Sequence, residues 1–291
     1  MKHILSYVLI VFAGLSLACA VWAQPLNSEQ RKTTIDYINS LENPDGGFRP
    51  SAKEGPSGLG ASSSAIRALK HLGTTVKHKD QVEKVILQFA QESGAFAEQP
   101  GKPEIRATWF GVNALVNIGS APKNADGVRD YVTRNAKSLY PDIYFAAAAL
   151  EDIKMKSPKA SEWIAAFEAT RNPDGSYGKG AADTAHAVVV ILRLGGTVRD
   201  PGAVGKVLKA AQNPNGGFAG EGDAVNLPGT YTVMRALRML KEKPDLASLY
   251  RYVASQRNPD GGYGVAPGKP SNMTFTYFAS AILDWADKMA K

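Results

Sequence analysis

Two kinds of apolar stretch alternate along this chain. In 79–92, Val82, Val85, Ile86 and Phe89 fall on one side at helical spacing, while Lys79, Glu83, Lys84 and Gln88 fall on the other. That pattern predicts a helix with one buried and one solvated face. Stretches 28–42, 125–137, 159–171, 200–212 and 245–257 read the same way. Between them lie stretches that are apolar nearly all round: ATWFGVNALVNIG from Ala107, IYFAAAALEDI from Ile143, AHAVVVILRLGG from Ala185 and TFTYFASAILDWA from Thr274. A helix of that kind must be covered on most sides. The alternation predicts two concentric layers, with an inner helix shielded by an outer one in each unit.

The one-sided stretches end on related turns. NPDGGF at Asn43 returns as NPDGSY at Asn172, NPNGGF at Asn213 and NPDGGY at Asn258, with a shorter Gly94-Ala95-Phe96 between. The Gly-x-aromatic signatures start 48, 81, 41 and 45 residues apart. The long gap holds a degenerate unit around Asn135 to Pro141, which makes six units of about 45 residues. Asn-Pro-Asp-Gly suits a type I turn, and its proline stops the helix before it. One carboxylate per turn does not supply the alternating ligands of a calcium loop. Six such hairpins can close into a ring and dispense with capping repeats. The expected fold is therefore all-α, an α/α toroid of about six helical hairpins, with an open superhelix as the alternative. Within the inner stretches Trp109, Tyr144, Tyr231 and Tyr277 each precede a leucine by six residues. Thr108, Thr230 and Thr276 stand just before three of those aromatics, and Thr184 fits the same register, as expected of N-caps or first-turn residues.

The segment AQNPNGGFAGEGDAVNLPGTYTVMRAL, 211 to 237, resembles the repeat of protein prenyltransferase β subunits, in which a Gln precedes Gly-Gly-Phe and a Thr-Tyr opens the next helix. ASQRNPDGGYGVAPGKPSNMTFTYFASAIL, 254 to 283, is similar, and terpene and squalene cyclases use a related repeat. The resemblance implies their shared α/α toroid. It also implies zinc, held in the prenyltransferases by an Asp-x-Cys pair and a His, and in the class II cyclases an Asp-x-Asp-Asp acid. The matching helix starts here read Ala182-Asp183-Thr184, Pro228-Gly229-Thr230 and Thr274-Phe275-Thr276, without Cys or His in the required place. No Asp-x-Asp-Asp string occurs. Zinc is the cofactor the resemblance implies, but its ligands are missing, so no metal or cofactor is expected.

Net charge is +7, from 34 basic and 27 acidic residues spread without a basic block, so nucleic acid is not an expected partner. Lys2 and His3 precede an apolar run from Ile4 to Leu17 and the small residues Val21 and Ala23. This reads as a signal peptide, residues 1–23, ahead of a toroid at 24–291, with export to a periplasmic or secreted location after cleavage near Ala23. An uncleaved segment or a lipidated Cys19 would instead tie the protein to a membrane. Cys19 is the sole cysteine, so the cleaved protein would have no disulfide and no thiolate nucleophile.

Asp183 and His186 stand at i and i+3 where an inner helix begins, on one face at the mouth of the ring. They are candidates for acid–base work, and the plain structural reading is an aspartate favoured by the helix dipole beside a locally satisfied histidine. Glu221 and Asp223, in the loop AGEGDAVN, could pair with Asp183 or Asp142 across the mouth, as glycoside hydrolases use paired carboxylates, or could simply form a solvated loop. Trp109, Tyr144, Tyr231 and Tyr277 are candidate lumen residues, with Arg106 and Arg235 beside Arg67 and Asn113 as polar companions. The functional expectation is a toroid that binds an apolar or isoprenoid-like small molecule or a protein. The alternative is an enzyme, either prenyltransferase- or terpene-cyclase-like or a carboxylate-dependent hydrolase or lyase acting at the mouth.

Overall fold

The computed structural model describes residues 25–291 apart from Glu54, Pro100, Glu221 and Asp223. The expected signal segment with Cys19, and the candidates Glu221 and Asp223, lie outside the described residues. Helices α1 (Ser28–Ser40), α3 (Lys79–Gln88), α5 (Ala125–Asn135), α7 (Ala160–Glu168), α9 (Pro201–Ala210) and α11 (Leu246–Ser255) form an outer layer. Helices α2 (Leu59–His71), α4 (Ile105–Asn117), α6 (Tyr144–Asp152), α8 (Ala181–Arg193), α10 (Leu227–Leu240) and α12 (Met273–Ala290) form the inner one. Each inner helix packs on the next, and α12 packs on α2. The ring is closed, so the chain is an all-α α/α toroid and not an open superhelix.

The two layers follow the two sequence patterns. In α3, Val82, Val85 and Ile86 are buried while Lys79, Lys84 and Gln88 are exposed. In α8 every residue from Ala185 to Ile191 is buried, as befits a helix covered by neighbours on most sides. Among the described residues no helix is long and apolar enough to cross a membrane.

The recurrent turns join three helices at a time. Asp45, Asp174 and Asp260 each accept, through Oδ1, the backbone N–H two residues on, at 2.9 Å. These aspartates therefore serve the turn. The aromatic that follows donates its N–H to a hydroxyl on the inner helix: Phe96 to Thr108, Tyr177 to Thr184 and Phe218 to Thr230 at 3.0 Å, and Tyr263 to Thr276 at 3.1 Å. Those threonines are the fourth residues of their helices, so they are first-turn residues and not N-caps. Asn226 and Asn272 take the capping role, each accepting a backbone N–H at 2.8 Å. The far side of the turn lands on the next outer helix. Gly216 has φ +97°, and a Cβ there would collide with the Ser248 carbonyl of α11. The last turn closes the ring: Thr34 of α1 donates to the Gly261 carbonyl at 2.8 Å, and Met273 N–H to the Pro50 carbonyl at 2.9 Å. The degenerate unit has no such turn. There a five-residue π-helical segment, Leu139–Ile143, leads into α6, and Asp142 Oδ2 accepts the Ser138 N–H at 3.1 Å.

Candidate functional site: an aromatic lumen on an arginine floor

Because the inner helices run in register, one helical position faces the ring axis in all six. In five helices it is the residue two beyond the turn-binding hydroxyl, Ser62 (which takes the Phe48 N–H at 3.0 Å), Thr108, Thr184, Thr230 or Thr276, and in α6 it is two beyond Ile143: Ser64, Phe110, Phe145, His186, Thr232 and Phe278. Together they surround a central cavity of about 310 Å³. Gly60, Arg106, Pro228 and Thr274, all second residues of their helices, line its mouth. Arg67 and Arg235, seven residues further along α2 and α10, and Arg193 at the end of α8 line it at depth.

The wall is largely aromatic. The Trp109 ring lies 5.2 Å from that of Phe110 and 5.1 Å from that of Phe145, and the Tyr231 ring stacks on Phe278 at 4.5 Å. Tyr140, from the π-helical segment before α6, also lines the cavity and stacks on His186 at 4.0 Å. Three of the four expected lumen aromatics, Trp109, Tyr144 and Tyr231, do line the cavity. Tyr277 does not: it is 1 % exposed and packs within the wall, where its hydroxyl meets that of Tyr231 at 2.5 Å. Arg106 lies at the rim over Phe110, and Arg235 at the floor.

The expected Asp183–His186 partnership does not form. Asp183 is exposed and accepts the Lys179 N–H at 2.9 Å, so it ties down the loop ahead of α8. His186, three residues on, is buried on the lumen face, with no hydrogen-bond partner for Nδ1. Burial lowers its pKa from 6.5 to about 4, against a weak opposing pull from Asp183, so the imidazole is neutral near pH 7. Asp142 is likewise held by its own loop through the Ser138 N–H. Neither aspartate lines the lumen, so no carboxylate pair between them spans the mouth. Among the described residues the carboxylate that lines the lumen is Glu98, at the rim, where Oε1 accepts the Gly60 N–H at 2.9 Å.

The floor is polar and charged. Arg67 is 6 % exposed; its Nε donates to the Ser63 carbonyl at 3.0 Å, and its guanidinium lies 4.0 Å from the Tyr277 ring centre and 4.7 Å from that of Trp109. Arg235 donates to the Tyr231 hydroxyl, and more distantly to that of Tyr277 at 3.4 Å. Arg193 Nε lies 3.0 Å from Glu151 Oε2, while its Nη1 has no partner. Burial drives the Tyr231 phenol well above its ordinary range. At Tyr277 burial acts in the same sense, but Arg67 and Arg235 outweigh it and draw the phenol below its usual value. Asn113, which holds in α4 the position Arg67 holds in α2, donates to Asp152 Oδ2 at 2.8 Å, and burial raises that carboxyl despite the hydrogen bond and the nearby Arg193 and Arg67. His71, 2.8 Å from Asp284, packs beside the Tyr277 and Trp285 rings.

Arg193, Glu98 and Tyr140 were not singled out in the sequence. Arg193 did leave a signal there: in 185–196 it is the one charged residue in an otherwise apolar run. Among the described residues no group of three or more His, Cys, Asp or Glu is arranged to hold a metal ion.

The sequence matches the prenyltransferase alpha-alpha toroid domain family twice, over residues 3–138 and 128–291. A drimenyl diphosphate synthase from Streptomyces showdoensis is 24% identical over 196 residues, covering 64% of this chain and 31% of that protein. A second drimenyl diphosphate synthase, from Streptantibioticus cattleyicolor, is 34% identical over 103 residues, or 33% of this chain and 19% of its own length. The match thus spans less than a third of either relative. Among solved structures, the Candida albicans protein geranylgeranyltransferase-I complexed with GGPP superposes with a TM-score of 0.65 at 13% identity, over 87% of this chain and 90% of that one. The type II terpene cyclase MstE from Scytonema superposes with a TM-score of 0.63 at 12% identity, over 90% and 98%. At these identities the structural likeness concerns the fold.

Proposed function

Since the chain belongs to the prenyltransferase alpha-alpha toroid domain family, we propose that it is an isoprenoid-converting enzyme whose substrate lies in the central lumen. The observation that carries this is the cavity of about 310 Å³ whose axis-facing positions include Phe110, Phe145 and Phe278, with Trp109, Tyr144 and Tyr231 beside them. At roughly 30 Å³ per water-sized group, it encloses about ten heavy atoms. That matches one or two isoprene units inside, with any longer tail at the mouth. Aromatic walls bind and fold such a chain and exclude water. Their π faces also favour positive charge developing on it. The similar proteins include a drimenyl diphosphate synthase, a type II terpene cyclase and a protein geranylgeranyltransferase. The residues through which those enzymes act are not carried over, because the Asp-x-Asp-Asp string and the cysteine zinc ligand are missing from the sequence.

A second reading, isoprenoid binding without turnover, is favoured by the disposition of the carboxylates. Asp183 and Asp142 are committed to loops, and Glu98 to the Gly60 N–H. One experiment separates the two. The purified protein is incubated with C10, C15 and C20 prenyl alcohols and diphosphates, and extracts are examined by gas chromatography–mass spectrometry beside binding isotherms for the same compounds. The enzyme reading expects a new hydrocarbon or alcohol that disappears with Trp109→Ala. Binding with no product leaves the second reading, and neither binding nor product refutes both. Export through the N-terminal segment is proposed alongside. Mass determination of the protein from its own cell tests it, since cleavage after Ala23 gives a chain that starts at Gln24.

A further inference from the structure

The lumen combines two features that ask for different things of a ligand. Its walls are aromatic, yet its floor holds three guanidinium groups, those of Arg67, Arg193 and Arg235. Among the described residues no carboxylate oxygen lies within 4.0 Å of Arg67 or Arg235. Arg235 rests on two phenols, and Arg67 on a carbonyl and the faces of three rings, Trp109, Phe110 and Tyr277. Arg193 has Glu151 beside Nε and an unpartnered Nη1. The other carboxylate near this layer, Asp152, attracts Arg193 and Arg67 without an ion-pair contact and is hydrogen-bonded to Asn113. Taking a guanidinium out of water without an opposite charge is costly, and a paired anion recovers that cost. A wholly apolar ligand would leave the floor as it stands. It would also lose the fork of donors that arginine offers to a carboxylate or phosphate.

Resting on the isoprenoid reading above, we infer that the lumen takes an amphipathic anion head first, with its oxyanion on the arginine floor and its apolar tail running up the aromatic wall to the mouth. The dimensions fit. Seven residues of α2 separate Gly60 at the mouth from Arg67 at the floor, and likewise Pro228 from Arg235 in α10. At 1.5 Å per residue the lumen is about 10 Å deep. A carboxylate or phosphate with seven or eight carbons fills that depth, and further carbons emerge past Arg106 and Thr274. The guanidiniums also repel positive charge, so any cation formed on the substrate belongs on the mouth side, among Phe110, Phe145 and Phe278.

The test is isothermal titration of the full protein with decanoate, decyl phosphate, 1-decanol and decyltrimethylammonium, which share a tail and differ in head. At least one anion should bind tenfold or more tightly than the alcohol, and the better of the two identifies the head as carboxylate or phosphate. The cation should bind more weakly than the alcohol. Equal or tighter binding of the alcohol overturns the inference. Orientation is read with 11-(dansylamino)undecanoate, whose bulky group sits at the tail end. Binding within threefold of undecanoate supports head-first entry, and exclusion of the tagged acid overturns it. Arg235→Met should cost decanoate tenfold and leave decanol unchanged; if that variant does not fold, Arg67→Gln replaces it, and the wild-type head-group series needs no variant. If geraniol is bound or converted as well as its anionic counterparts, this inference falls and the isoprenoid reading stands. If the anions bind but no isoprenoid is accepted, the reverse holds.

Discussion

His186 is the most direct electrostatic probe of the lumen, because it is buried on the cavity face and its Nδ1 has no partner. Replacing it with phenylalanine keeps an aromatic ring against Tyr140 and Tyr144, 4.0 and 5.0 Å away in the wild type, and removes the titration. Its folded-state pKa of about 4 lies below the ordinary 6.5. Above pH 6.5 both folded and unfolded forms are neutral there, and the group costs nothing. As pH falls below 6.5 the unfolded chain takes up a proton that the folded chain refuses, so stability drops until the folded group itself titrates near pH 4. A gap of about 2.5 units at 1.36 kcal/mol each amounts to roughly 3 kcal/mol. The assay is urea unfolding followed by tryptophan fluorescence at half-unit steps from pH 7.5 to 4. Wild type should lose about 3 kcal/mol more than His186→Phe across that window. The difference curve isolates this residue from His71, whose pKa burial also lowers, and from Asp284. Parallel curves for the two proteins would show that His186 is solvated, and its burial on the lumen wall would be wrong.

Three further outcomes follow from the geometry. Gly216→Ala and Gly175→Ala share a positive φ, +97° and +93°, but a new Cβ would collide with the Ser248 carbonyl in the first case and sit 3.2 Å from Ala203 Cβ in the second. Gly175→Ala should cost about 1–2 kcal/mol from backbone strain alone, and Gly216→Ala a further 1–3 kcal/mol; equal urea midpoints would refute the turn-on-helix contact. Thr230→Val strips the buried Phe218 N–H of its acceptor and should destabilise by about 1–3 kcal/mol in the same assay. Asp183→Ala frees the Lys179 N–H but touches no lumen wall, so product formation or ligand affinity should stay within twofold of wild type, and a tenfold loss would restore Asp183 to the site.

The ring was legible in the sequence because each level repeats. The turn returns at a near-constant spacing, and it separates one-sided helices from all-round apolar ones. The lumen was harder to read, for an angular reason. The marked aromatics, Trp109, Tyr144, Tyr231 and Tyr277, sit six residues before a buried leucine, whereas the axis-facing position is the next residue along. One residue turns a helix by about 100°. A shift of one therefore exchanges a side chain wedged between neighbouring helices, as Tyr277 is, for one on the axis, as Phe278 is. Asp183 and His186, at i and i+3, are about 60° apart on the helix, and that is enough to leave Asp183 on the loop side and His186 on the lumen side. Arg67 and Arg235 were legible as polar companions of the lumen, but Arg193 was not, and the convergence of the three from distant helices appears only once the ring is closed.

The central claim is that the lumen is a ligand chamber, and a cavity-filling variant tests it most directly. Thr232 faces the axis and is only partly buried, so Thr232→Trp places a large ring in the cavity without displacing the packed layer between inner and outer helices. The measurement is the dissociation constant for the best prenyl ligand, wild type against Thr232→Trp, with thermal unfolding recorded on both. The account predicts a loss of at least tenfold in affinity at an unchanged unfolding midpoint. Full affinity in the variant, at an unchanged midpoint, would place the ligand elsewhere and contradict it.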